Sequence, residues 1–207
     1  MIQVVKHPLV QAKLTRLRST TTSKTEFRRL VREITGLLVY AATADWETEV
    51  TIVQTPLAEC RGTRLAGRVC CVTILRAGLA MEEGVQALIP DAETGIIGLY
   101  RDPATLEAVE YYRKLPPDIA ECQVLLVDPM LATGHTLVKA VTALKQQNVG
   151  NLKLITILAA PEGVETLKDH FGDTVEIYTA ALDAGLNEHG YILPGLGDAG
   201  DRIFGTR

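Results

Sequence analysis

The sequence predicts an α/β fold built on a parallel sheet, and two observations carry that prediction. Between residues 66 and 182, short branched apolar runs alternate with helical periodicities, the pattern of strands joined by right-handed crossovers. The residues just past those runs, Arg76, Arg101, Asp128 and Asp183, are charged. Ligands of open α/β sheets bind at the carboxyl ends of strands, so charges there describe one rim. A chain of 207 residues, 47% hydrophobic and 22% charged, is long and apolar enough for one sizeable core.

Taken in order, Pro8 suits the first position of a helix whose stripe is Leu9, Val10, Leu14 and Leu17. Ser23-Lys24-Thr25-Glu26 has the form of a capping box. Behind it Phe27, Leu30, Val31, Ile34, Leu37, Leu38 and Ala41 repeat at three and four, predicting an amphipathic helix to about Thr43. A strand follows at 50–54 (VTIVQ), ending at Pro56. Residues 1–65 are thus expected as an N-terminal helical part with no catalytic candidate, ahead of an α/β core over 66–182.

The core opens with a buried strand at 69–75 (VCCVTIL) that runs into Arg76-Ala77-Gly78. A helix through Met81, Val85 and Leu88 follows and stops at Pro90. A short strand at 96–100 runs into Arg101-Asp102-Pro103. The polar stretch after it has prolines at both ends, and its residues 108–112 have the character of a hairpin arm. Segment 101–117 is either a mobile flap that excludes water from the rim, or a static surface hairpin or subunit contact. Further strands are expected at 124–127, 152–158 and 175–179, the last reaching Asp183. Helices are expected through Leu137, Val138, Val141 and Leu144, and, after Pro161, through Val164, Leu167 and Phe171.

The stretch VLLVDPMLATGHT at 124–136 is the most informative. A doubly buried strand ends in Asp128, and a turn of small residues leads into a helix. Such a helix start presents unpaired N–H groups and partial positive charge, a ready cradle for phosphate. Thr133 and Thr136 would add hydroxyl donors, and Asp128 would hold sugar hydroxyls. The competing reading is an ordinary βα turn whose threonines cap the helix. Arg76 and Arg101 suit a pyrophosphate, because guanidinium binds phosphate oxygens bidentately. Either arginine alone reads as a surface ion pair.

Other features exclude more than they assign. Net charge is −4, which argues against a general nucleic-acid binder. Residues 1–32 nevertheless carry +7 against −11 for the remainder. That segment reads as a solvated helical face, with a partner or effector surface as the sharper alternative. Cys60, Cys70, Cys71 and Cys122 have no metal-ligand spacing and are expected as reduced, mostly buried thiols of a cytoplasmic protein. No apolar run approaches a membrane span, and the first residues lack the apolar core of a signal peptide. Gly195, Gly197 and Gly200 match the spacing of a dinucleotide fingerprint, but seven residues beyond Gly200 do not complete a βαβ unit. Glu188 and His189, two neighbours, do not make a metal site.

Several motifs resemble the uracil phosphoribosyltransferases, a branch of the type I phosphoribosyltransferases. They are ILRAGL (74–79), GLYRDP (98–103), DPMLATG (128–134), AAPEG (159–163) and the tail GYILPGLGDAGDRIFGTR (190–207), in one order. The resemblance implies a type I phosphoribosyltransferase core with N-terminal helices and a C-terminal base-binding hood at 183–207. It implies the conversion of uracil and phosphoribosyl pyrophosphate (PRPP) into UMP and diphosphate, with Mg²⁺, in pyrimidine salvage. By motif position, Arg76 and Arg101 would bind the pyrophosphate arm and Asp128 the ribose hydroxyls. Pro129, Met130 and Leu131 would begin the PRPP loop, and Ala132, Thr133, Gly134, His135 and Thr136 would cradle the 5′-phosphate. Ile192, Gly197 and Ala199 would read uracil through backbone groups, and Asp198 would contact PRPP, uracil and, indirectly, the metal. Asp128, Asp198, Arg76 and Arg101 are the expected catalytic set. Partners implied are uracil, PRPP, a GTP effector and a second copy of the chain or more, with neither nucleic acid nor membrane. Two departures stand out: Pro129 follows a single acid, as in the uracil branch, where many of the wider family have two, and His135 stands where a small residue is usual. The alternatives are a pyrimidine-responsive RNA-binding regulator of the same fold, disfavoured by a pI of about 5.6, and a transferase for another base.

Overall fold

The computed structural model describes residues 2–101 and 108–206, without the side chain of Arg101. Its centre is one sheet of mainly parallel strands. In sequence these are β1 (Ile2–Val4), β4 (Arg68–Leu75), β5 (Glu93–Arg101), β6 (Ala108–Lys114), β7 (Cys122–Val127), β8 (Met130–Leu131), β9 (Leu152–Ala159) and β10 (Glu176–Leu182). A hairpin, β2 (Thr48–Gln54) and β3 (Glu59–Leu65), stands apart, as does a two-stranded ribbon, β11 (Gly185–Leu186) and β12 (Ile192–Leu193). The helices are α1 (Pro8–Arg18), α2 (Lys24–Ala42), α3 (Leu79–Gln86), α4 (His135–Lys145), α5 (Pro161–Phe171) and α6 (Ala199–Phe204). None of the described helices is long and apolar enough to cross a membrane.

The sheet order is β1-β10-β9-β7-β4-β5-β6, all parallel except β6, which pairs antiparallel with β5. β7 and β9 lie at its middle and are buried on both faces, as their unbroken apolar runs require. α2 packs on one face through Phe27, Leu30, Val31, Ile34 and Leu38. The other face is covered by α4 and α5 through Leu137, Val141, Leu144 and Leu167. Truncating a fully enclosed side chain such as Leu30 to alanine would cost about 2–5 kcal/mol.

The start of α1 is built as expected, whereas the capping box of α2 forms only its serine half, because the Glu26 carboxylate pairs with Arg16 and Arg29. Pro8 takes the first position of α1, and the Ser23 hydroxyl accepts the Glu26 N–H at 3.3 Å. Within 1–65 the helices end at Ala42, the strand expected at 50–54 is present as β2, and the unexpected β3 completes a hairpin with it. Branched Val50, Ile52 and Val53 favour extended backbone there, and β3 (ECRGTRL) lacks an apolar repeat that would announce it. β1, also unannounced, is three residues long. Residues 102–107 of the expected flap lie outside the described residues; the part after them is β6.

The N-terminal basic segment is not a free cationic face. Lys13 and Arg29 pair with Glu33, Arg16 and Arg29 pair with Glu26, Arg18 pairs with Asp183, and Arg28 donates to the Ile203 carbonyl. Cys70, Cys71 and Cys122 are buried and Cys60 is exposed, all as free thiols. Burial pushes the Cys70 and Cys71 thiols up to about 12, which makes them inert.

Candidate active site

The charged rim forms at adjacent strand ends. β4 and β7 pair in register with Thr73 beside Val127, so Arg76 and Asp128 leave neighbouring strands. The turn between them is tight: a Cβ on Gly78 would stand 2.6 Å from the Ile74 carbonyl oxygen and 2.8 Å from that of Val127, which only glycine tolerates. Arg101 ends β5, the next strand along, and its side chain lies outside the described residues. The rim's fourth charge differs from expectation. Asp183 is turned inward and held by Arg18, so it is not a free acid of the rim.

The loop after Asp128 is pinned along its first half and open along its second. The Pro129 carbonyl accepts the N–H groups of Ile157 and Leu158 at 3.1 Å, and that of Leu131 accepts Ala160 N–H at 2.8 Å. Met130 and Leu131 form β8 against β9, and the Leu131 side chain is wholly buried. Pro129 and Leu131 therefore hold the loop from inside. At Gly134 the backbone turns left-handed (φ +87°), and α4 begins at His135. The first intrahelical bond runs from Val138 N–H to the Gly134 carbonyl, leaving the N–H groups of His135, Thr136 and Leu137 without helical acceptors. His135 is exposed and in ordinary helical backbone.

α5 braces this loop through the AAPEG motif, whose purpose is not apparent from sequence. A Cβ on Gly163 would stand 2.3 Å from the Ala132 carbonyl oxygen, and one on Gly134 2.9 Å from Thr166. The preceding residue, Glu162, accepts the Leu186 N–H of β11 at 3.0 Å.

Asp128 is the electrostatically unusual group. It is partly exposed at the rim, but the apolar sheet end around its carboxyl pushes its pKa up to about 7, against which the Met130 N–H works. Asp198 is exposed and caps α6, one carboxyl oxygen accepting the Asp201 N–H at 2.8 Å. Ile192 and Ala199 are buried, and Gly197 has φ +81°. The hood residues Leu186, Ile192, Leu196, Ala199 and Ile203 join Ala77 of the rim turn and Met130 and Ala132 of the loop in one apolar cluster. The structure thus gathers rim, loop and hood, although they are up to about 120 residues apart in sequence. Sequence reasoning gave no fastening role to Arg18, Glu162, Arg202 and Phe204, and placed the fastener Asp183 among the rim charges. The basic excess in residues 1–32 was the only signal for Arg18.

Comparison with known proteins bears on what this arrangement does. A family model described as uracil phosphoribosyltransferase matches residues 4–206. A uracil phosphoribosyltransferase from Dictyoglomus turgidum is 52% identical over 208 residues, covering 100% of both chains. A solved structure of a protein from Aquifex aeolicus superposes with a TM-score of 0.94 at 37% identity, covering 100% of this chain and 99% of that one. A hypoxanthine-guanine phosphoribosyltransferase from Bacillus anthracis superposes with a TM-score of 0.53 at 14% identity, covering 77% and 80%, a likeness of fold alone.

Proposed function

Because the chain belongs to the uracil phosphoribosyltransferase family, pentosyltransferases that join uracil to PRPP, we propose that its rim, loop and hood bind these two substrates side by side. The observation that carries this reading is the shared cluster of Ala77, Met130, Ala132, Ile192 and Ala199, which joins the three segments. The N–H groups of His135, Thr136 and Leu137 take the 5′-phosphate at the start of α4. Asp128 takes the ribose hydroxyls, and its carboxylate opposes the positive charge that grows at the anomeric carbon. Arg76 and Arg101 neutralise the departing diphosphate. Backbone groups of Ile192, Gly197 and Ala199 read the uracil edge. The base nitrogen loses its proton to solvent or to the departing diphosphate and forms the new bond to the sugar as the bond to diphosphate breaks, so no side-chain nucleophile is required.

The described residues fit Mg²⁺ carried by substrate. They contain no group of three His, Cys, Asp or Glu side chains able to cage a metal, and Mg²⁺ is commonly held by one or two carboxylates, waters and substrate phosphates. Asp198 has a carboxyl oxygen without a partner among the described residues, suited to a metal-bound water. Bound with PRPP, the ion would neutralise charge on the leaving diphosphate.

The β2–β3 hairpin supports a homo-oligomer. It exposes Val50, Ile52, Val53 and Leu57, the last 96% exposed, and a lone two-stranded hairpin is marginal in water. A cytoplasmic location and a GTP effector rest on the family resemblance. The RNA-binding alternative loses its support, since five of the eight basic residues in 1–32 are engaged within the chain.

The test is an assay of purified protein with PRPP and each free base, with and without a chelator. UMP from uracil, abolished by the chelator, is expected. Better use of adenine or guanine, or of no base, would overturn the reading.

A further inference from the structure

Backbone readout discriminates only if the backbone cannot move, and two arginines fasten this one. Asp183, directly after β10, has a side chain only 5% exposed. Arg18, from the last turn of α1, grips it with both amino groups, at 2.7 and 2.6 Å. The same Arg18 donates to the Gly195 carbonyl at 2.6 Å, while the Gly195 N–H donates to Asp183 at 2.9 Å. Both polar groups of the Gly195 backbone are therefore held by one ion pair. Gly195 has φ +60°, and a Cβ there would stand 2.0 Å from the Ile192 carbonyl oxygen. The Gly195 backbone and that carbonyl therefore approach closely, and neither can move toward the other.

A second guanidinium fastens the far side. Arg202 of α6 donates to the Leu196 carbonyl at 2.9 Å and to the Ser19 carbonyl at 2.5 Å, just past α1. It lies over the Phe27 ring of α2, 4.3 Å from its centre. Successive carbonyls, at 195 and 196, are thus bound by arginines anchored to the N-terminal helices.

We propose that Arg18, Asp183 and Arg202 are positioning residues that set uracil affinity and base selectivity by locking the 192–199 backbone. The proposal rests on the uracil-binding reading of that segment. It also gives residues 1–32 a purpose: part of their charge faces inward, toward the hood. A charged, fully satisfied network suits this because removing either partner leaves a buried charge or carbonyl unmatched, so the loop has no alternative seat of similar energy.

The experiment compares wild type with Arg18→Gln, Arg202→Lys and the isosteric Asp183→Asn. It measures kcat, both KM values, the uracil-to-cytosine ratio of kcat/KM, and thermal melting. Each variant is expected to raise KM for uracil roughly tenfold or more and lower the selectivity ratio, with KM for PRPP within about twofold. Asp183→Asn keeps the shape and serves if Arg18→Gln does not fold. Unchanged KM for uracil in folded variants would overturn the proposal. So would a drop in kcat alone that tracks the folded fraction, since a merely structural role predicts that. Wild type that makes no UMP would instead overturn the functional reading beneath it.

Discussion

The Arg76 guanidinium lies over the ring of Phe204, 5.6 Å from its centre. Arg28 approaches the same ring at 5.7 Å. The proposed diphosphate ligand and the last turn of the hood therefore touch. Arg76→Ala should lower kcat/KM by about 10²-fold, or ~3 kcal/mol, the scale of a lost preorganised charge contact. Phe204→Leu keeps the arginine but removes its platform, and should raise KM for PRPP several-fold, in line with about 1 kcal/mol for a cation–π contact. Steady-state kinetics on both variants check the ranking.

Asp128 should make the enzyme sensitive to pH in two opposite ways. Its folded pKa of about 7 lies above the ordinary 3.8, so the native state keeps a proton that the unfolded chain releases. That contribution to stability is complete below the unfolded pKa and is lost as pH rises through the folded one. Thermal melts of wild type should therefore fall relative to Asp128→Asn as pH rises from about 4 to 7. Activity should run the other way, because the proposed contact with the ribose hydroxyls and the sugar cation uses the carboxylate. The kcat/KM for PRPP should climb to a plateau above pH about 7, and this step should vanish in Asp128→Asn along with most activity.

Gly163→Ala should act on a loop it never joins. Its new methyl would meet the Ala132 carbonyl oxygen at 2.3 Å, so either α5 or the loop after Asp128 must shift, at about 1–3 kcal/mol. A lower melting temperature together with a KM for PRPP raised about tenfold is expected. Normal kinetics would mean that the loop moves freely.

His135→Ala should do little. The side chain is exposed, and the proposed phosphate cradle would use N–H groups that any residue except proline supplies. KM for PRPP should change by less than about tenfold, or ~1.4 kcal/mol. A larger rise, with loss of a wild-type pH dependence between about pH 5.5 and 7.5, would assign the imidazole to the phosphate.

What could be read from the sequence follows from how local each signal is. The strands around Val72, Leu126 and Ile155 announce themselves because burial on both faces leaves unbroken apolar runs. Pro8, Ser23 and Gly134 act within a turn of where they stand, so their effects are visible in short windows. Asp183 looked like a rim charge because strand ends point to the rim. Its partner is 165 residues away, and no periodicity links an arginine in α1 to an acid after β10. The brace formed by Glu162 and Gly163 escaped for the same reason. β3 escaped because a strand exposed on both faces obeys no burial pattern.

The parallel pairing of β1 with β10 has a practical side. Parallel strands share a direction, so the chain enters β1 at the amino ends of the strands, opposite the rim. The other terminus follows α6, whose Phe204 lies under Arg76. An affinity tag joined ahead of residue 2 would trail away from the substrates. One joined after residue 206 would start beside Arg76 and compete with them for space. Fusion design for crystallisation or immobilisation should use the first end and leave the second bare.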